Sequence, residues 1–301
     1  MFAGSATKGW PFSPALLRIL RRLRRNRRSD GCAVGCDRDR TDDSRLPWTS
    51  GDSYGGWGGR GFHGVTARAG AAEVGAGAAG EPTPIVFVHG VQRDACDWES
   101  HAEFFLERGY GGDDLWAITF REGASTHPEM AEQLDSFVGQ VREHTGAESV
   151  ALVGHSLGVT GIRYWLASRD RFEWAETVVG LAGPNHGTVF NTWCAEAGID
   201  GEDYRVSPFL RADYEKYEDH PLTWLNRDET PGDIDYYTVR GTDDALYWRC
   251  PESPRLEGAR NVVLDTGHDG VRTARETKEH LFEWLTGEHP YDMRHQVGLA
   301  R

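Results

Sequence analysis

The chain has 301 residues, with 33 Lys and Arg against 47 Asp and Glu and a formal net charge of −14. A chain of this length buries a substantial core. Residues 1–80 hold 13 Lys and Arg beside 7 Asp and Glu, which leaves 20 and 40 for the remainder; so acidic a body repels phosphate and argues against nucleic acid as a partner.

Lys is confined to Lys8, Lys216 and Lys278. An acidic surface with scarce Lys suits solubility at high salt, where self-repulsion is screened. A GC-rich coding sequence would give the same preference for Arg. Five Cys (Cys32, Cys36, Cys96, Cys194, Cys250) are too few and too uneven for a disulfide-dense secreted scaffold. Cys32 and Cys36 lack a second pair or a neighbouring His at zinc spacing, so no metal is expected.

Taken in order, residues 1–80 read as an extension without a fold. Residues 14–28 mix Leu16, Leu17, Ile19, Leu20 and Leu23 with Arg. That is a solvated basic tail in preference to a basic amphipathic helix on a membrane. The Arg run is not followed by an apolar stretch of secretory-signal length, so export by that route is not expected and the sequence leans weakly to the cytoplasm. No apolar segment is long enough to span a bilayer. Residues 50–80 are Gly/Ala-rich and linker-like.

Order is expected over 81–288, as one α/β domain. Ile85-Val86-Phe87-Val88 reads as a buried strand and residues 98–108 as a helix. Residues 115–120 are a second strand, and 129–144 a helix with Met130, Leu134, Phe137, Val138 and Val141 on one side. Residues 150–153 form a third strand, and 177–182 a fourth. Residues 184–234 break the rhythm, with Pro208, Pro221 and Pro231 among acids and aromatics. They read as an insertion that forms a lid or a substrate-side wall, and Cys194 and Cys250 are candidates to pair. Strands follow at 235–240 and 261–264, then one closing helix over 271–285, and residues 289–301 are tail. Strands alternating with helices imply a mostly parallel central sheet covered on both faces, with an inserted cap-like segment.

The chemistry centres on Gly154-His155-Ser156-Leu157-Gly158, set between a strand and a helical segment. In that context Gly-x-Ser-x-Gly is a nucleophile elbow, a turn too tight for side chains at its flanks. Ser156 then stands at a helix N-terminus, where free N–H groups favour negative charge. A Ser hydroxyl needs a His to take its proton and a carboxylate to orient that His. The acid should follow a strand downstream, where Asp243 and Asp244 both qualify. The His should follow the last strand, where His268 stands. His186 precedes any acid candidate, and His289 and His295 lie beyond the closing helix. Asp265 and Asp269 sit too close in sequence to His268 to face its ring. Two N–H donors are needed for the oxyanion: Leu157, after the nucleophile, and Val91, in the loop His89-Gly90-Val91. His89 is expected to make a structural hydrogen bond there.

On Ile85-Val-Phe-Val-His-Gly-Val91, Val153-Gly-His-Ser-Leu-Gly158, Leu181-Ala-Gly-Pro-Asn185 and Leu256-Glu-Gly-Ala-Arg-Asn-Val262 leading to Gly267-His268, the chain resembles the small class 2 bacterial triacylglycerol lipases of the α/β-hydrolase superfamily. The resemblance spans about residues 84–287. It implies carboxylic-ester hydrolysis through an acyl-enzyme, with neither metal nor cofactor. It also implies Asp244 as the acid, Asp243 being the alternative, and Val91 and Leu157 as oxyanion donors. Members are commonly secreted. They often carry Ala where Gly154 stands and many lack a lid, so the 184–234 insertion is a departure. The region of the elbow also resembles polyhydroxyalkanoate depolymerases. A lipid, small-molecule or polyester ester is therefore the expected substrate, and acyl transfer on the same fold is a further alternative.

Overall fold

The computed structural model describes residues 55–58, 82–121, 124–199 and 204–287. Its strands are β1 (Gly55–Gly58), β2 (Ile85–Val88), β3 (Leu115–Thr119), β4 (Val150–His155), β5 (Ala175–Leu181), β6 (Asp235–Gly241) and β7 (Arg260–Leu264). They form one sheet in the order β1-β3-β2-β4-β5-β6-β7. Strands β2 to β7 pair in parallel, and β1 runs antiparallel to β3.

Side chains of a strand alternate between faces, and here both faces are covered. Val86, Val88, Trp116, Ile118, Val150 and Leu152 meet one helical layer. That layer is α2 (His127–Thr145) and α3 (Leu157–Arg169). Ile85, Phe87, Leu115, Ala117, Ala151 and Val153 meet the other, formed by α1 (Glu99–Leu106) and α7 (Arg275–Thr286). Double burial explains why the central strands are continuous apolar runs and not alternating ones. Helix α2 starts at a capping box, in which the Thr126 N–H donates to Glu129 Oε2 at 2.6 Å, and ends at Gly146 with φ 76°.

Three sequence expectations change. The unstructured reading of residues 1–80 fails at β1, where Gly makes the close approach: a Cβ on Gly56 would lie 2.1 Å from the Ala117 carbonyl oxygen. The rest of that extension, including residues 14–28, and the 289–301 tail lie outside the described residues. The single closing helix is two, α6 (His268–Thr273) and α7, parted at Ala274 with ψ 144°. The Thr277 hydroxyl donates to the Val271 carbonyl at 2.5 Å and satisfies it there. Cys194 and Cys250 do not pair; both are free thiols, and Cys194 is buried.

The 184–234 segment contains α4 (Val189–Glu196) and α5 (Pro221–Leu225). Tyr214, Leu222 and Leu225 form a small core of their own against Tyr164, Ala167 and Phe209. Among the described residues no helix is long and apolar enough to cross a membrane.

Candidate active site

Strand β4 is buried along its whole length and delivers Ser156 to the N-terminus of α3. Ser156 has φ 53° and ψ −124°, outside the regions L-residues favour. Its N–H donates to the Leu181 carbonyl at 2.8 Å, and its carbonyl accepts from Val159 at 3.1 Å. Both flanking glycines are crowded, Gly158 more tightly than Gly154. A Cβ on Gly154 would sit 2.9 Å from the Val159 nitrogen, and one on Gly158 would sit 2.6 Å from the Val88 and His89 carbonyl oxygens.

His268 opens α6 directly after β7, and its Nε2 lies 3.0 Å from Ser156 Oγ. On the far side of the ring, Nδ1 lies 2.7 Å from Asp244 Oδ2. The carboxylate only accepts, so Nδ1 bears the proton and Nε2 is left bare to accept from the hydroxyl. The Asp244 side chain is 1% exposed, and its other oxygen accepts the Leu246 N–H at 3.0 Å. Asp243 is exposed, and its N–H donates to the Thr266 carbonyl at 3.0 Å. That bond, with Thr242 N–H to Leu264 O at 2.9 Å, fastens the acid loop to the histidine loop. Gly241 permits the approach, since a Cβ there would lie 2.1 Å from the Thr266 carbonyl oxygen.

Leu157 and Gly90, the residue before Val91, both adjoin Ser156. Leu157 is the first residue of α3, where an N–H has no intrahelical partner. Gly90 packs on Ser156 itself, with a virtual Cβ 3.0 Å from Ser156 Cβ, and Val91 follows it. The other candidates are spent elsewhere. His186 faces the Ser253 carbonyl at 3.1 Å and Glu229 at 2.8 Å. Asp265 accepts from the Thr242 hydroxyl, and Asp269 from Arg93. His289 and His295 lie outside the described residues.

Several neighbours carry no sequence signal. His155, the variable residue of the elbow, is 2% exposed, and its Nε2–H donates to the backbone carbonyl of His268 at 3.2 Å. Burial holds its pKa well below the ordinary value, so the ring stays neutral beside His268. Thr160 donates to the Leu157 carbonyl at 3.1 Å and accepts from His127 Nε2 at 2.9 Å. His127 in turn stacks on Phe209 of the 184–234 segment with centroids 3.3 Å apart. The Tyr247 hydroxyl donates to the Ala182 carbonyl at 2.6 Å and ties the acid turn to the end of β5.

Residues 82–200 match the family model described as lipase (class 2). Among solved structures, the chain is similar to a Bacillus licheniformis lipase in its mature form, at 20% identity and a TM-score of 0.53, over 69% of this chain and 93% of that one. The propeptide form of that lipase gives a TM-score of 0.55 at 20% identity, over 69% of this chain and 51% of that one. Aspergillus fumigatus lipase B gives a TM-score of 0.54 at 14% identity, over 72% of this chain and 55% of that one. The parallel sheet between helical layers, taken with these neighbours, is the α/β-hydrolase fold.

Proposed function

We propose, from an α/β-hydrolase fold whose residues 82–200 match the class 2 lipase family, that the chain is a serine carboxylic-ester hydrolase working through an acyl-enzyme. The observation that carries this reading is the unbroken relay from Ser156 Oγ to His268 Nε2 at 3.0 Å and from His268 Nδ1 to Asp244 at 2.7 Å. Ser156 Oγ attacks the ester carbonyl while His268 Nε2 takes its proton. Asp244 holds the ring and stabilises the imidazolium. The oxyanion accepts hydrogen bonds from the Val91 and Leu157 amides, each donor contributing on the order of 10²–10³ in rate. The C–O bond to the alcohol breaks and His268 returns its proton to the departing oxygen. Water, deprotonated by the same nitrogen, then cleaves the acyl-enzyme and frees the acid.

Ser156→Ala should abolish p-nitrophenyl ester cleavage and labelling by a fluorophosphonate probe, with the thermal transition retained; undiminished turnover in that variant would sink the reading. A series of acyl chain lengths, with tributyrin as the lipid substrate, then sets substrate size. Tyr217 and Trp224 on the inserted segment are 45% and 41% exposed, which favours a second substrate class, polyesters, for the same chemistry. Clearing of polyhydroxybutyrate granules set beside tributyrin cleavage separates the two.

A further inference from the structure

Strands β2 and β7 do not touch: β4, β5 and β6 stand between them in the sheet. Two parts of the site nonetheless follow those strands, the donor loop His89-Gly90-Val91 after β2 and His268 at the head of α6 after β7. No ladder of the sheet joins β2 to β7 directly. Helix α6 has six residues, too short to be stable alone, so its placement is set by what it packs on.

Two ion pairs cross from α6 to the segment that follows β2. Arg272 lies about one turn beyond His268 on α6. Its Nη1 donates to the Asp97 carbonyl, and its Nη2 lies 3.6 Å from Asp97 Oδ1. Arg93 Nη1 lies 3.7 Å from the same oxygen, and Arg93 Nη2 donates to Asp269 Oδ1 at 2.7 Å. The side chains of Arg272 and Asp97 are 8% and 11% exposed, so this pair is the buried one. The Arg93–Asp269 pair is open to solvent and screened by it.

Asp97 stands on a fixed base, the 3₁₀ turn Ala95–Trp98. The Ala95 N–H donates to the Thr119 hydroxyl at the end of β3 at 2.9 Å. Trp98 is fully buried and stacks on Phe87 of β2 with centroids 5.0 Å apart. As a stabiliser the pair is poorly made. Asp97 Oδ2 and Arg272 Nε are buried and meet no protein partner among the described residues. Buried ion pairs often stabilise a fold no better than apolar groups of the same volume. What a guanidinium adds is geometry: its planar fork holds a carbonyl and a carboxylate at once, and so fixes one register.

We propose that Arg272 and Asp97 are positioning residues that hold His268 in register with the oxyanion donor Val91, by locking α6 onto the 3₁₀ turn that ends the donor loop. The role rests on the hydrolase reading above, which says what His268 and Val91 do. Both residues act through the segments they join and not on the reacting atoms.

The rival is a pair that merely stabilises the fold. Asp97→Leu combined with Arg272→Met separates the two, because it removes both charges together and leaves neither buried alone. The experiment measures kcat and KM on a p-nitrophenyl ester, and the thermal midpoint, for the wild type, the double variant and Arg272→Lys. Assays run well below each midpoint. Expected for the double variant is a midpoint at or above that of the wild type. Its kcat should fall about 10²-fold, the cost of a catalytic group displaced by about 1 Å, with KM little changed. Arg272→Lys keeps the charge and loses the fork, and should lose about tenfold in kcat. A double variant with the wild-type kcat, whatever its midpoint, would overturn the role and leave the hydrolase reading standing. If the double variant does not fold, Arg272→Lys decides, and a folded Arg272→Lys with the wild-type kcat would overturn the role. A wild type inert towards both ester and fluorophosphonate would defeat that reading and the role together.

Discussion

Ser156 is held at φ 53° and ψ −124°, a conformation that costs on the order of 1–3 kcal/mol and persists only when its surroundings over-determine it. The Leu181 carbonyl, the first turn of α3 and the absence of side chains at Gly154 and Gly158 do that here. Those absences are why the proposed nucleophile is legible in sequence: the contacts that crowd a Cβ leave a pair of glycines behind. The acid is less legible. Asp243 and Asp244 follow the same strand, and what separates them is a backbone bond from Asp243 to Thr266, a residue 23 positions away in the chain. That bond leaves Asp243 in solvent and buries Asp244 against the ring. Asp244→Asn should lower kcat on the order of 10⁴-fold by stabilising the wrong tautomer of His268. Asp243→Asn should change it by less than about threefold, as exposed substitutions usually do. Equal effects in steady-state kinetics would reverse the assignment. His155 and Thr160 escape sequence reading because a buried polar role is set by the partner that packs there, and the partner of His155 is the His268 carbonyl, 113 residues on.

At the scale of elements, the strands declare themselves because burial on both faces demands unbroken apolar runs. Each observed strand from β2 onward falls within about two residues of its expected place. The break between α6 and α7 does not declare itself. Leu281, Phe282 and Leu285 keep a helical period across the break at Ala274, where the Thr277 hydroxyl satisfies the Val271 carbonyl. The 184–234 segment is equally opaque, since its anchor lies on another element. Arg163 of α3 is buried and donates to Asn185 Oδ1 at 3.3 Å, the Leu225 carbonyl at 3.1 Å and Asn226 Oδ1 at 2.9 Å. Among the described residues no carboxylate bonds it directly, and burial lowers its pKa to about 10. Arg163→Met strands those acceptors, at a cost on the order of 1–3 kcal/mol for each one left buried without a donor. Relief of the buried charge offsets part of that. Limited proteolysis should accelerate between residues 184 and 234 while the remainder stays resistant; an unchanged cleavage pattern would show that the anchor lies elsewhere.

At the scale of the whole molecule, burial keeps His89, His101, His127 and His155 neutral. Burial lowers His89 to about 4 and His127 to about 3, and it holds His101 and His155 well below the ordinary value. In the unfolded chain each titrates near 6.5. Between that value and their folded values the unfolded state binds more protons, so stability falls as pH falls through this window. For His89 alone the loss reaches about 3 kcal/mol once the folded value is passed. Asp97, raised by burial, works in the opposite direction at the acid end. The thermal midpoint should already drop between pH 7 and pH 5, before most carboxylates titrate, and a midpoint flat over that interval would show that these rings are not neutral in the fold. Distance along the chain has its own effect. The hydroxyl and the imidazole that faces it are 112 residues apart, and the imidazole follows the outermost strand of the sheet. On the proposed reading, chains cut short of residue 268, or folded without that outer edge, would display a serine with no base to waken it. Turnover would then gauge whether folding has finished, and incomplete copies would stay chemically silent.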